Sequence, residues 1–255
     1  MRKYCFGFEC IKEGRVFGHG GAECHGLLFS LLHESCPGFS RDLHEAAVNP
    51  FSIGPLQGQG HFDKGAFYLC VGKEYYFTVS TLSSEMGAAI AGVKPCTKPG
   101  NWFRLGTADC RWLGVTEAAE KSYSQLLSAD SPDRFVLDFV SPTCFRSQGI
   151  SLLFPSPDLL FSSIMERWNT FTPIPLDFKI LPFVSRYKLS TRLVQFPKYR
   201  MTGFIGTVEY SFPKAADSAT RQGICTLAQY AGFTGIGYKT AMGMGENRYL
   251  GRSAD

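Results

Sequence analysis

"GFTGIGYKTAMGMGE", residues 232–246, sets five glycines (Gly232, Gly235, Gly237, Gly243 and Gly245) around one lysine, Lys239. So much bare backbone serves either a loop whose amides cradle an anion or a loop against which another backbone packs closely. Gly232, Gly237, Lys239 and Thr240 nearly spell a phosphate loop, but Tyr238 separates the lysine from the glycine that should precede it directly. The context is inverted as well. A phosphate loop follows a strand and opens a helix. Here the preceding "SATRQGICTLAQYAG" (218–232) has helical spacing, with Ile224, Leu227, Ala228 and Ala231 on one face, and the following "TAMGMGENRYL" (240–250) reads as a strand. A dinucleotide fingerprint fails because no third glycine follows Gly235 and Gly237 at the required distance. The segment is therefore expected to join a last helix to a last strand. Its amides form a small anion-binding nest, or the loop packs tightly between two domains.

Upstream the same alternation of elements recurs. "KYCFGFECI" (3–11) reads as a strand and "CHGLLFSLLHES" (24–35) as a helix with Leu27, Leu28, Leu31 and Leu32 inward, ended by Pro37 and Gly38. A strand is expected at "PFSIGPLQG" (50–58), then a hairpin over 66–79 turning at Gly72 and Lys73. Thr81 is placed as cap of a helix carrying Leu82, Met86, Ala89 and Ile90, before a strand at "WFRLGTADCRWLGV" (102–115). Strand, helix, strand, strand, helix, strand is the order of a split ferredoxin-like unit.

It then happens again. "RFVLDFVSPTCF" (134–145) is a strand, and "SPDLLFSSIMERWNTF" (156–171) a helix capped by Ser156 or Asp158, with Leu160, Ile164 and Trp168 inward. "VQFPKYRMTGFIGTVEYSF" (194–212) alternates like a strand pair, and the 218–232 helix should stop at Gly232. The fold class is thus α+β, two tandem ferredoxin-like (RRM-like) domains at 1–130 and 131–255, divided in the polar stretch "LLSADSPD".

Composition agrees with a folded chain: of 255 residues, 44% are hydrophobic and 19% charged, without low-complexity tracts. Nine cysteines include no CxxC pair, which argues for small buried hydrophobes in a reducing compartment and against a zinc knuckle or a disulfide framework. The apolar start of "MRKYCFGFECIKEGR" is interrupted by Glu9 and Lys12, so it is not read as a signal peptide, and no stretch approaches a membrane span. A net charge of +4 is too mild to demand a polyanion. Locally, residues 178–200 hold Lys179, Arg186, Lys188, Arg192, Lys198 and Arg200 with no acid among them, which is either a solvated face or an anion-binding one.

Taken together, "AGFTGIGYKTAMGMGENR", "GLLFSLLHESCP", "LHEAAVNPFSIGPLQG", "FVSPTCFRSQGISLLFPSPDLLF" and "GFIGTVEYSF" resemble, in order, segments of the CRISPR-associated endoribonucleases that cut precursor repeat RNA, within the repeat-associated mysterious protein superfamily. The resemblance covers nearly the whole chain and is weakest at about 60–130. It implies tandem ferredoxin-like domains and a prokaryotic cytoplasmic enzyme, a monomer or homodimer away from membranes. Its partner would be CRISPR repeat RNA, the product passing to a CRISPR effector complex. It also implies cleavage within repeats with no cofactor and no metal: the ribose 2′-hydroxyl attacks the adjacent phosphate, leaving 2′,3′-cyclic phosphate and 5′-hydroxyl ends. The glycine loop would hold the neighbourhood of the first helix and the RNA backbone.

Such a transfer needs a base, an acid and donors for the charged phosphorane. Of five histidines, His44 stands where the family places its catalytic histidine before "NPF", the alternative being a surface loop residue beside Arg41 and Glu45. His25, at the start of the first helix, is a second catalytic candidate; His33 is expected exposed, and His19 and His61 lie in glycine-rich loops. Phe29 stands where many relatives carry an assisting tyrosine, and no lysine follows the histidine in "EAAVNP", so stabilisation falls to His25, Lys64 or Lys239. Candidate RNA contacts are Arg146, Ser147 and Gln148 in "CFRSQG", Arg186, Lys188 and Arg192, and Gly235, Gly237, Lys239, Gly243 and Gly245. Tyr187 or Phe145 could stack on a base, each with a core role as the alternative. Carboxylates are dispersed, with Asp138 alone in its strand, and form no cage for a two-metal nuclease. Two other readings stay open: a noncatalytic RNA-binding subunit of an effector complex, and a nucleotide-binding enzyme using Lys239.

Overall fold

The computed structural model describes residues 1–93, 101–128 and 131–251, apart from the side chain of His44. Ala129 and Asp130, in the expected boundary, lie outside the described residues, as does Cys96. The chain divides into two compact units. One comprises Met1–Glu120, Leu193–Met201 and Ala241–Gly243; the other comprises Lys121–Arg192, Thr202–Thr240 and Met244–Asp255.

The first unit is built on β1 (Arg2–Lys12), β2 (Gly14–Phe17), α1 (Gly21–Ser35), α2 (Pro37–Glu45), β3 (Phe51–Ile53), β4 (Gln57–Gly58), β5 (Gly60–Asp63), β6 (Ala66–Leu69), β7 (Glu74–Thr81), α3 (Ser84–Ala91), β8 (Trp102–Leu105) and β9 (Ala108–Glu120). Its main sheet has the order β3-β7-β1-β9-β8, with β4 also on β7. Because β1 sits centrally between β7 and β9 with β3 outside, this is the ferredoxin-like arrangement, extended by β8. Period-2 alternation aims Tyr4, Phe6, Phe8 and Cys10 into the core. There they meet Cys24, Leu28, Leu31 and Leu32 from α1, which recur at helical spacing.

The second unit carries α4 (Tyr123–Leu127), β10 (Arg134–Thr143), β11 (Phe145–Ser147), β12 (Ile150–Leu152), α5 (Pro157–Phe171), most of β13 (Phe183–Gln195) and of β14 (Arg200–Ser211), α6 (Ser218–Thr234) and β15 (Asn247–Tyr249), while the facing ends of β13 and β14 and all but Thr240 of a 3₁₀ turn (Thr240–Met242) belong to the first unit. Its sheet order, β13-β14-β10-β15, repeats the ferredoxin-like pattern. Leu160, Ile164 and Trp168 on α5, with Ile224, Leu227, Ala228 and Ala231 on α6, are buried as their spacing predicts, and Phe161 is buried beside them. The tandem ferredoxin-like fold is what the sequence led one to expect.

Several local expectations fail for identifiable reasons. β6 and β7 do not pair with each other; β6 lies between β2 and β5 in a separate three-stranded sheet. The turn between them forms at Gly72 and Lys73 as expected, closed by Lys73 N–H donating to Cys70 O at 3.2 Å, but it is also bonded to β1, with Gly72 N–H donating to Cys10 O at 2.8 Å and Cys10 N–H to Lys73 O at 3.0 Å. Thr81 does not cap α3, because its hydroxyl is engaged with the backbone of Arg2; Ser83 does, accepting from Met86 N–H at 3.1 Å. The strand expected at 102–115 is a hairpin, β8–β9, turning at Gly106. α6 runs past Gly232 to a left-handed Gly235 (φ 66°), and the closing strand shrinks to Asn247–Tyr249 because Gly243 and Gly245 (φ 80° and 77°) break the extended conformation.

Trp168 is fully buried, its ring edge-on to Tyr123 and Tyr230, and its indole N–H donates to Ile174 O at 2.7 Å. Trp168→Ala is expected to destabilise the chain by ~3–5 kcal/mol, the cost of a large cavity plus a lost bond. Urea denaturation followed by circular dichroism measures it, and a loss well under 1 kcal/mol would contradict this packing.

Candidate functional site

The glycine-rich segment begins where α6 ends, and its amides point into the protein. Gly235 N–H donates to Ala231 O at 2.9 Å, Ile236 to Gly245 O at 2.8 Å, Tyr238 to Cys144 O at 2.8 Å and Gly245 to Pro142 O at 3.1 Å. Glu246 N–H reaches the Ser141 hydroxyl at 2.9 Å. The amides of Gly235, Ile236, Tyr238, Gly245 and Glu246 are therefore already engaged and not available to an anion, and Gly235, Gly243 and Gly245 are buried. Asn247, also buried, closes the segment, its amide nitrogen donating to Ala231 O at 2.9 Å and Gly245 O at 3.2 Å. Arg167 on α5 donates to Thr234 O at 2.5 Å, at the end of α6; burial lowers its pKa. Neither Asn247 nor Arg167 stood out in the sequence, since an Asn or Arg serving backbone carbonyls leaves no motif.

On the outward side of this clip three side chains meet. Arg146 (on β11) and Lys239 both lie over the Tyr238 ring, at 5.3 and 5.1 Å from its centroid. Lys239 adopts φ 60°, a left-handed conformation that an ordinary residue enters only at a cost. Ser147 and Gln148 are exposed beside Arg146, at the turn between β11 and β12. Phe145, by contrast, is buried (5% exposed) against Phe204 and cannot stack on a base, which corrects the sequence expectation.

β13 displays the acid-free run. Arg186, Lys188 and Arg192 are exposed and share one face by period-2 alternation, while Phe183 and Tyr187, also exposed, occupy the other. β13 is an edge strand of its sheet, and charges on such an edge discourage pairing with another strand.

In the first unit, His25 lies half-buried in the second turn of α1. α1 starts at Gly21, where a Cβ would run into the Met242 carbonyl oxygen, and a Cβ on Gly243 would stand 3.1 Å from Gly21 Cα. Glycine on both sides thus permits backbone-to-backbone contact between α1 and Ala241–Gly243. The contact sets His25 Nδ1 3.0 Å from Ala241 O. A carbonyl can only accept, so Nδ1 carries the proton and Nε2 of the neutral ring bears the lone pair. Phe29 and Phe51 flank the imidazole at 4.6 and 6.2 Å. Glu23, in the first turn of α1, accepts from Phe17 N–H at 2.9 Å, and burial pushes its carboxyl pKa up.

His44 belongs to α2, one residue from its end, and not to a loop as the alternative reading had it; its side chain lies outside the described residues. His33 is exposed, His19 packs edge-on against Phe62 and His61 stacks on Tyr68. Cys10, Cys24, Cys110, Cys144 and Cys225 are buried and burial raises their thiol pKa values, so they are inert packing groups.

The family model described as "CRISPR-associated endoribonuclease Cas6" matches residues 137–247. A protein named CRISPR-associated endoribonuclease Cas6, from Mycobacterium tuberculosis, is 24% identical over 242 residues, which span 89% of this chain and 71% of that protein. Among solved structures, a Cas6 product complex superposes with a TM-score of 0.76 at 23% identity, covering 98% of this chain and 99% of the other. A structure titled as an RAMP protein binding different RNA substrates gives 0.67 at 13% identity, covering 98% and 100%. These bear out the resemblance read from the sequence and the ferredoxin-like fold.

The clip makes a direct prediction. At Gly237 (φ 84°) a Cβ would strike the Cys144 carbonyl oxygen, whereas at Gly72 (φ 73°) it would meet nothing within 4 Å. Both alanine variants bear the left-handed penalty, of about 1 kcal/mol or more. Gly237→Ala is expected to lower the melting temperature clearly more than Gly72→Ala, and equal shifts would show that close approach at Gly237 is unimportant.

Proposed function

We infer that this chain is a CRISPR-associated endoribonuclease of the Cas6 family, cutting precursor CRISPR RNA within its repeats. The observation that carries the mechanism is the bond from His25 Nδ1 to Ala241 O, because it fixes an imidazole with Nε2 as the basic atom at the start of α1. His25 and His44 are proposed as the proton-transfer pair. One takes the 2′-hydroxyl proton as the 2′-oxygen attacks phosphorus; the other gives a proton to the 5′-oxygen as the P–O5′ bond breaks. The products are a 2′,3′-cyclic phosphate and a 5′-hydroxyl. Since the nucleophile is supplied by the substrate itself, the step needs no metal-bound hydroxide, and we propose that it proceeds without metal or cofactor. Phe29, packed on His25, contributes no hydroxyl, which leaves stabilisation of the phosphorane to cationic donors.

RNA is proposed to lie on Arg146, Ser147, Gln148 and Lys239 beside Tyr238, and on Arg186, Lys188 and Arg192 of β13, with Tyr187 exposed for stacking. Of the glycines, Gly237 is half-buried and could approach the RNA backbone; Gly235, Gly243 and Gly245 act by shaping the segment. The proposed enzyme works in a prokaryotic cytoplasm, as monomer or homodimer, and hands its product to an effector complex; among the described residues no helix is long and apolar enough to cross a membrane.

Incubation of the chain with its repeat RNA in EDTA tests the reading. Cleavage with cyclic-phosphate ends, seen by mass spectrometry, is expected, and His25→Ala or His44→Ala should each slow single-turnover cleavage by roughly 10²–10⁴-fold. Binding without cleavage would make the chain a noncatalytic RNA-binding subunit, and wild-type rates in both variants would remove the histidine mechanism.

A further inference from the structure

The small sheet β2-β6-β5 packs one face on the core through Val16 and Phe67, and its other face, closed over at Phe17 and Ala66, opens to solvent toward Arg15 and His61. Val16 and Phe67 anchor the first at 1% and 7% exposure, with Phe62 beside them at the edge. On the opposite face the register aligns Arg15 with Tyr68 and Tyr68 with His61, a row of three side chains across three strands. The Tyr68 and His61 rings are parallel within 8° at 4.9 Å between centroids. Arg15 donates from its guanidinium to the Tyr68 hydroxyl at 3.3 Å, and it makes no ion pair among the described residues. Arg15 and His61 are exposed and Tyr68 half-buried, so ring faces and a cation without a carboxylate stand together on a rigid support. Asp63 and Lys64, exposed at the β5–β6 turn, add one charge of each sign at that edge.

We propose that this row is a second RNA-contact site, a platform on which Tyr68 and His61 stack an unpaired base while Arg15 holds the adjoining phosphate. Stacking suits a single strand, because every base offers a π-face whatever its sequence, and a guanidinium satisfies phosphate oxygens by geometry as well as charge. None of these residues belongs to the proton-transfer pair, the Tyr238 cluster or β13. The proposal rests on the RNA-processing reading for its ligand class, and it assigns the platform to an unpaired stretch of the transcript.

The full chain is titrated against a fluorescent, unstructured oligoadenylate, with cleavage of repeat RNA assayed in parallel. Tyr68→Ala should weaken oligoadenylate binding by about 5- to 150-fold, the range of base–aromatic stacking, while Tyr68→Phe, which keeps the ring, stays near wild type. Arg15→Ala should reduce the slope of log affinity against log salt by about 0.7, the signature of one lost single-strand phosphate contact. Melting curves confirm that the variants fold. Unchanged affinity in Tyr68→Ala overturns the platform, as would be found if this face received a protein; equal weakening in Tyr68→Phe overturns the stacking role. A chain that cuts repeat RNA while these variants bind normally loses the platform alone. One that binds oligoadenylate through Tyr68 without cutting repeats keeps the platform and loses the nuclease.

Discussion

Everything proposed for the catalytic end of this protein depends on one close approach of two backbones. Gly21 opens α1 where a side chain would collide with Met242, and Gly243 reciprocates from the other strand of the contact. The missing Cβ of Gly21 is what lets the Met242 backbone sit against α1, and the bareness of Gly243 eases the same contact, in which Ala241 O comes within a hydrogen bond of His25 Nδ1. The glycine richness that first suggests a phosphate loop is thus an answer to a steric demand. Its consequence is electronic, because it settles which imidazole nitrogen is basic.

The remaining part of the segment is held by a ladder of short bonds to β10, α6 and itself. Pro142, Ser141 and Cys144 accept from or bond to its amides, Asn247 ties Gly245 to the end of α6, and Arg167 holds Thr234 O. A segment with so many engaged groups is rigid, which suits preorganised chemistry better than a flexible tail would. Arg146 and Lys239 over Tyr238 are the groups that this scaffold presents outward in the second unit.

Much of this was legible in the sequence, and the exceptions share a cause. Helices with apolar residues at 3.6 spacing, such as α1, α5 and α6, could be read from one segment at a time. So could the repeated strand–helix order, which gave both ferredoxin-like sheets. Partner choice could not. Gly72 and Lys73 do form a turn, with Lys73 N–H bonded to Cys70 O, yet the strands it joins do not pair: Gly72 N–H and Lys73 O bond to Cys10, and β6 joins β2 and β5. Likewise Phe145 reads as an aromatic beside basic residues, but its neighbour in space is Phe204. His25 was legible as a candidate from its place on the helix; its tautomer was not, since the deciding carbonyl lies 216 residues away.

The tautomer of His25 tests the account at its root. Nitrogen-15 NMR of histidine-labelled protein, with His25 assigned by comparison with His25→Ala, distinguishes a protonated ring nitrogen from one bearing a lone pair. At a pH where the ring is neutral, the account predicts a protonated Nδ1 and a lone-pair Nε2, with that preference lost when Gly21→Val, whose Cβ would collide with the Met242 carbonyl, forces the two backbones apart. A protonated Nε2 in the wild-type protein would contradict it.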